Sequence, residues 1–213
     1  MIFNNRYQAG ELLAKKLSKF QLSPQNSVIA AIPRGGVVVA QAIFNILKIP
    51  LYAVIIKKLG APLNPELAIG ATASYGKPVL DRWLIADLKV TADYLKKEIL
   101  KKKKEARKRE IYLRQISSNK FKGKTVIVVD DGLATGQTAK AAAKIIKADM
   151  PSKLILAIPC AAPTTIDYVK ADFDEVVCLD VDPNLMAVGQ FYRDFRPVTD
   201  EEVKNILAQR TWS

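Results

Sequence analysis

Apolar and polar positions alternate along this chain with two different periods, and the change from one to the other marks the elements. Asn5 to Phe20 carries Leu12, Leu13 and Leu17 at helical spacing, and Gln21-Leu22-Ser23-Pro24-Gln25-Asn26 breaks it. Ser27 to Ile32 is a short apolar run that predicts a strand, followed by Pro33-Arg34-Gly35-Gly36 and a helix to about Leu47. Beyond Pro50, Leu51 to Ile56 is nearly continuously apolar, the pattern of a strand buried on both faces. Lys58 to Pro65 then reads as a loop, with Leu67 to Ala73 and Pro78 to Leu80 as short strands of an insertion beside the main sheet. Ala92 to Ile116 predicts one long helix with Leu95, Ile99, Ala106 and Leu113 on its apolar side.

The core pattern resumes at Thr125. Val126 to Val129 is a buried strand by composition, Thr138 to Lys147 is helical, and Leu154 to Ile158 is a further strand. Thr164 to Ala171 predicts a short helix and Glu175 to Leu179 a last strand. Thr199-Asp200-Glu201-Glu202 has the spacing of a capping box and opens a closing helix to about Gln209. Strands alternating with helices predict an α/β fold, a mostly parallel central sheet flanked by helices. The expected organisation is one domain over 1–213, with an inserted hood and long helix at about 58–118 and a C-terminal helix at about 199–210.

Composition narrows the chemistry. A hydrophobic fraction of 49% with 25% charged residues is that of an ordinary globular protein. No apolar run approaches the ~20 residues that span a bilayer, and the start lacks a signal-peptide layout, so a cytoplasmic protein is expected. The chain contains no histidine, which removes Ser-His and Cys-His nucleophile pairs, His-ligated zinc and imidazole general bases together. Cys160 and Cys178 each end an apolar run and read as buried reduced thiols. The formal charge of +12 favours an anionic partner. Part of that excess is local, in Lys96, Lys97, Lys101 to Lys104 and Arg107 to Arg109, where a solvated helix face is the commoner explanation.

The chemistry concentrates in one loop. Asp130 and Asp131 end a buried strand, and Gly132, Leu133, Ala134, Thr135, Gly136, Gln137 and Thr138 join it to a helix. The two carboxylates therefore fall at the carboxyl edge of the sheet, where open α/β folds bind ligands. The Thr135-Gly136-Gln137-Thr138 turn offers hydroxyls and backbone amides at a helix N-terminus, a site for a phosphate. Adjacent carboxylates suit ribose hydroxyls or a hard ion such as Mg²⁺. A plain capping turn would explain Thr135-Gly136 alone, though not the whole string. The P-loop pattern fails, because Gly123-Lys124-Thr125 has Ser118 where its first glycine should stand.

Val126 to Thr138 resembles the PRPP-binding signature of type I phosphoribosyltransferases. That resemblance implies that Asp130 and Asp131 hold the ribose 2′- and 3′-hydroxyls and that Ala134 to Thr138 bind the 5′-phosphate. It further implies Mg²⁺, at Asp130 and Asp131 directly or through ribose hydroxyls or water. Ile32-Pro33-Arg34-Gly35-Gly36 is similar to the family's pyrophosphate loop, with Arg34, Gly35 and Gly36 meeting the leaving group. Lys57 or Lys58 occupies the place of a mobile loop that closes over the pyrophosphate, which makes Arg34, Lys57 and Lys58 the expected catalytic cations. Lys58 to Ala71 and Ala187 to Phe195 resemble one branch of the superfamily, so the likeness covers most of the chain.

Purine-specific relatives carry an Asp where this sequence has Ala134, which argues against that route to hypoxanthine or guanine. Arg193-Asp194, with Asp180 or Asp182, are the other candidates to contact a base. The expected reaction is transfer of 5-phosphoribose from PRPP to a small nitrogenous base. Two alternatives stand beside it: a PRPP- or nucleotide-sensing regulator that binds nucleic acid through its basic helix, and a receiver-type domain with an Mg²⁺-binding acid pair. The receiver reading conflicts with topology, since more than half the chain precedes the acids. An exposed long helix would also suit a homodimer.

Overall fold

The computed structural model describes residues 1–113 and 120–208. Its elements in chain order are α1 (Arg6–Leu17), β1 (Ser27–Ala31), α2 (Gly35–Leu47), β2 (Leu51–Ala53), β3 (Lys57–Gly60), β4 (Ala68–Thr72), β5 (Val79–Leu80) and α3 (Arg82–Asp87). They continue as α4 (Ala92–Tyr112), β6 (Thr125–Val129), α5 (Gln137–Lys147), β7 (Lys153–Ala161), α6 (Pro163–Val169), β8 (Glu175–Val181) and α7 (Asp200–Ala208).

Five strands form a parallel sheet in the order β2-β1-β6-β7-β8. Successive side chains leave a strand on opposite faces, and here each face has its own core. Ile29, Ala31, Ile127, Val129, Ile155 and Ala157 face α1, α2 and α7 through Leu13, Val37, Ile43 and Val203. Val28, Ala30, Val126, Val128, Leu154 and Leu156 face α5 and α6 through Ala139, Ala142, Ile146 and Val169. Burial on both sides explains the unbroken apolar runs, because β1 and all but the first residue of β6 and β7 are buried.

The strand order reverses direction between β1 and β6. The chain runs from β1 through α2 to one edge, and from β6 through α5 to the other. Loops leaving the carboxyl ends of these two central strands diverge above the sheet and leave a crevice there. Pro33 to Gly36 follows β1, and Asp130 to Gly136 follows β6.

The region from β2 to α3 differs from the sequence expectation in its strands and in a short helix. Lys57–Gly60 is a strand rather than the start of a loop, and the strand expected over Leu51 to Ile56 stops at Ala53. Lys57, Lys58 and Leu59 pair antiparallel with Thr72, Ala71 and Gly70, and β5 completes a three-stranded sheet. Pairing with a distant segment overrides the local breaker signal of Gly60 and Pro62. A short helix, α3, was also unforeseen; Asp81 caps it by accepting from Leu84 N at 2.9 Å. Leu59, Ala61 and Ile69 form a separate small core with Leu80, Leu84, Tyr94, Leu95 and Ile99, so the hood packs on α4.

Thr91 caps α4, and the expected end of this helix at Ile116 lies outside the described residues, as does Ser118. The closing helix likewise reaches Ala208, its expected end at Gln209 lying outside them. Its capping box forms: Glu202 N donates to Thr199 Oγ1 at 3.1 Å and Thr199 N to Glu202 Oε2 at 2.8 Å. Cys160 is fully buried and Cys178 half-buried, and both are free. Burial pushes the Cys160 thiol up to about 12 and the Cys178 thiol up to about 11.

Candidate active site

The turn after β6 is shaped by its glycines. Gly132 has φ +155° and lies so close to Val188 and Cys160 that a Cβ would come within 2.6 and 2.9 Å of them. Gly136 has φ +71° and caps α5, and a Cβ there would stand 2.6 Å from Val169. Both positions need the left-handed region and the missing side chain. Thr165 on α6 steadies the turn by donating to Ala134 O at 3.1 Å, while Leu133 N donates to Cys160 O at 2.9 Å.

The bond from Lys140 N to Gly136 O opens the α5 ladder. The amides just before it belong to the helix N-terminus, where the dipole favours an anion. Thr135 and Gln137 are exposed and Thr138 is half-buried around this cradle.

The loop after β1 is pressed against the acid pair. A Cβ on Gly35 would lie 1.8 Å from Asp131 Oδ2, and one on Gly36 would lie 2.7 Å from Val129 O and 2.9 Å from Asp130 Cα. The two loops can meet only because both residues are glycine. Arg34 caps α2 and is exposed at the rim.

The carboxylates themselves are held. Asp131 N donates to Asp130 Oδ1 at 2.9 Å, and Arg6 Nε donates to Asp131 Oδ2 at 2.7 Å. The Arg6 guanidinium also donates to Arg196 O at 3.0 Å and lies 3.9 Å from the Phe195 ring centre. Tyr192 donates its hydroxyl to Asp131 O at 2.6 Å, and its ring stacks on Phe195 at 5.1 Å. Burial, then the neighbouring Asp131 charge, raises the Asp130 carboxyl well above its usual range. Burial and the same charge raise the Tyr192 phenol, which keeps it a donor.

Three adjoining cavities open here. One of about 230 Å³ is walled by Asp130 to Gly136, Thr138 and Val188. A second of about 340 Å³ is walled by Arg6, Arg34, Gly35, Asp130, Asp131 and Thr138. The third, about 560 Å³, lies between hood and α5 and includes Lys58, Gln137 and Thr138. The structure thus brings Arg34, Gly35, Lys58 and the Asp130 to Thr138 string to one crevice, with Gly36 beneath it.

Lys57 is turned elsewhere, 3.7 Å from Glu105 on α4. Asp180 pairs with the N-terminal amine of Met1, Asp182 accepts from Asn184 N at 2.8 Å, and Asp194 accepts from Arg196 N at 3.1 Å. Arg193 is exposed, its backbone N–H donating to Phe3 O at 2.9 Å. None of Lys57, Asp180, Asp182, Arg193 and Asp194 lines these three cavities. Sequence reasoning missed Arg6, Tyr192 and Phe195 as supports of the acid pair.

Among the described residues, no group of three or more His, Cys, Asp or Glu could hold a metal ion. The acid pair still fits magnesium, which binds through one or two carboxylates completed by water and substrate phosphates. Asp130 Oδ2 and Asp131 Oδ1 stand outside the hydrogen bonds described above.

A family model of the phosphoribosyl transferase domain matches residues 2–196. The chain belongs to this family. It is 36% identical over 210 residues to a protein of Mycobacterium tuberculosis whose name marks it as a candidate phosphoribosyl transferase, covering 97% of this chain and 46% of that one. The chain thus spans about half the length of the curated relatives it matches. The crystal structure of TT1426 from Thermus thermophilus is 38% identical and covers 100% of both chains, with a TM-score of 0.87. A structure from Aquifex aeolicus, at 17% identity and a TM-score of 0.52, covers 83% of this chain and 74% of that one and shares the fold. The α/β fold is that of the phosphoribosyl transferase family. No helix among the described residues is long and apolar enough to cross a membrane.

Proposed function

We propose that this chain transfers the 5-phosphoribosyl group of PRPP to a small nitrogenous base with release of pyrophosphate. The observation that carries this reading is the contact of Gly35 and Gly36 with Asp130 and Asp131. This contact supports reading the first loop as the one that meets the leaving group and the acid pair as the one that meets the ribose.

In this reading the 5-phosphate takes the amides and hydroxyls of Ala134 to Thr138, and Asp130 and Asp131 accept from the ribose 2- and 3-hydroxyls. The base nitrogen forms a bond to the anomeric carbon as the carbon–oxygen bond to pyrophosphate breaks, the electron pair leaving with pyrophosphate. The base's surplus proton goes to solvent. Charge grows on the leaving group, and Arg34 and Lys58 stabilise it from the loop and the hood. Lys57, engaged with Glu105, takes no part. Asp130 and Asp131, directly or through ribose hydroxyls or water, would hold Mg²⁺ with the substrate, and the ion would supply further neutralisation of the diphosphate. The rest of catalysis is positioning.

A nucleic-acid-binding regulator has less support. Lys102 pairs with Glu98 and Glu105, Lys103 donates to Gly76 O, Arg107 pairs with Glu110, and Arg109 with Asp200. Four of the nine basic residues of the run thus serve α4, the hood and α7, while Lys96, Lys97, Lys101, Lys104 and Lys108 are exposed. The test is a screen of purine, pyrimidine and other nitrogenous bases for base-dependent pyrophosphate release from PRPP with Mg²⁺. Release by wild type, absent in Asp130→Ala, supports transfer. Silence with every base would leave a binding protein on a transferase fold.

A further inference from the structure

The helix α4 turns one side to the protein and the other to water. Leu95 and Ile99 pack on the hood core, and Ala106 and Leu113 on the main core. At 3.6 residues per turn these positions fall within about 40° of arc, and Leu100, Lys97, Lys104 and Ile111 form a stripe of about 60° on the opposite side. Leu100 is 53% exposed and Ile111 63%. Lys101 and Lys108 run along one flank of the stripe and Lys96 and Arg107 along the other, all of them exposed. Two outward apolar side chains thus stand about 16 Å apart along the helix, between two rows of cations.

These charges are left over from the packing of the fold. Lys96, Lys97, Lys101, Lys104 and Lys108 have no carboxylate within ion-pair distance among the described residues. Glu105, which shares a shallow groove with Lys97, Leu100, Lys101, Lys104 and Lys108, is engaged by Lys57 at 3.7 Å and by Lys102 at 3.3 Å. Arg107 reaches Glu110 at 3.5 Å, and Asp93 in the first turn is the one acid on the stripe. Like charges four residues apart, as in Lys97 with Lys101 and Lys104 with Lys108, destabilise a helix, and an anionic surface laid against them reverses that cost.

We propose that the outward face of α4 is a docking surface for an anionic lipid bilayer. The helix lies in the plane of the headgroups without crossing them, its lysines at the lipid phosphates and Leu100 and Ile111 at the edge of the acyl chains. Clusters of roughly four to eight cations on one helix are the pattern of anionic-lipid recognition, and apolar side chains among them add the burial on which an interfacial helix depends. A nucleic-acid face instead sets hydrogen-bonding or stacking side chains among its cations, and here Leu100 and Ile111 occupy those places. The aromatic residues of α4 are otherwise engaged: Tyr94 donates to Gly60 O at 3.0 Å, and Lys204 Nζ lies 4.8 Å from the Tyr112 ring centre. The proposal is independent of what the donor site binds.

The experiment is co-sedimentation with vesicles of phosphatidylcholine alone and of equal parts phosphatidylcholine and phosphatidylglycerol, at low and high salt. The proteins are wild type, a variant with Lys97, Lys101, Lys104 and Lys108 all changed to Gln, and Leu100→Gln. All five positions are exposed, and circular dichroism and thermal melting verify folding. Wild type is expected to partition onto the anionic vesicles, not onto the neutral ones, and to come off at high salt. Each lysine near such a surface strengthens adsorption about fivefold, so the four-lysine variant should lose at least a hundredfold. Leu100→Gln should weaken partition severalfold at unchanged charge. No partition by wild type overturns the proposal, as does equal partition by the four-lysine variant or by Leu100→Gln. Single- or double-stranded nucleic acid that displaces wild type from the vesicles, and that the four-lysine variant no longer binds, overturns it in favour of a nucleic-acid face.

Discussion

Arg6 Nε and Asp131 Oδ2 lie 2.7 Å apart although 125 positions separate them in sequence. Arg6 sits in the first turn of α1, 8% exposed, and its guanidinium packs against Phe195 while binding Arg196 O. One side chain thereby ties the N-terminal helix, the acid pair and the segment after β8 into a single support. Its charge-assisted bond fixes one oxygen of Asp131 and turns the other toward the crevice.

Arg6→Gln removes that support. A hydrogen bond to a charged group contributes about 1.5–3 kcal/mol, so the expected loss of stability in urea unfolding is about 2 kcal/mol. PRPP affinity falls at least tenfold, as an unfixed Asp131 must be ordered on binding. Arg6→Lys lies between the two, because a point charge keeps the attraction but loses the fork and the stacking on Phe195.

Gly35→Ala tests the contact between loops. The added Cβ would stand 1.8 Å from Asp131 Oδ2 and 2.8 Å from Arg6 Nε, so the loop or the carboxylate must move. Overpacking of this kind costs about 1–3 kcal/mol. The melting midpoint should drop by about 2–12 °C, and PRPP binding should fall below detection while the circular dichroism spectrum is unchanged.

Tyr192→Phe isolates the other support. The ring contacts with Phe195 and Phe3 persist, but Asp131 O loses its 2.6 Å donor. An unpaired buried carbonyl costs about 1–3 kcal/mol, measurable by urea unfolding. The effect on PRPP binding should be smaller than that of Arg6→Gln, since the carboxylate keeps its partner.

Sequence pattern revealed the central sheet because strands buried on both faces print as apolar runs, and Val126 to Val129 is fully buried as that pattern requires. The phosphate turn was equally visible, since its glycines and threonines are adjacent in the chain. Arg6 was not, because nothing in its own helix distinguishes it from a surface cation; only the long-range contact does. Lys57 and Lys58 were indistinguishable in sequence, and the alternation of β3 separates them, one toward Glu105 and one toward the crevice. The hood strands were hard to delimit for a related reason, as their pairing partner lies past a Gly-Pro loop.

The capping box predicts a pH dependence. Hydrogen bonds from Thr199 N and then from Arg196 hold the Glu202 carboxyl below its ordinary 4.5. A depressed folded value contributes stability that is present above that ordinary value and is lost as pH falls through the lowered one. Glu202→Gln should therefore melt lower than wild type at neutral pH, with the gap closing in acid. Thr199→Ala should cost about 1 kcal/mol at either pH.

The most direct test of the account is calorimetric titration of PRPP, with and without Mg²⁺, into wild type and Asp130→Ala. The account predicts saturable binding by wild type that strengthens with Mg²⁺ and is lost in the variant, which remains folded. Equal binding by both proteins would contradict the assignment of the acid pair to the ribose, and no binding by wild type would contradict the donor itself.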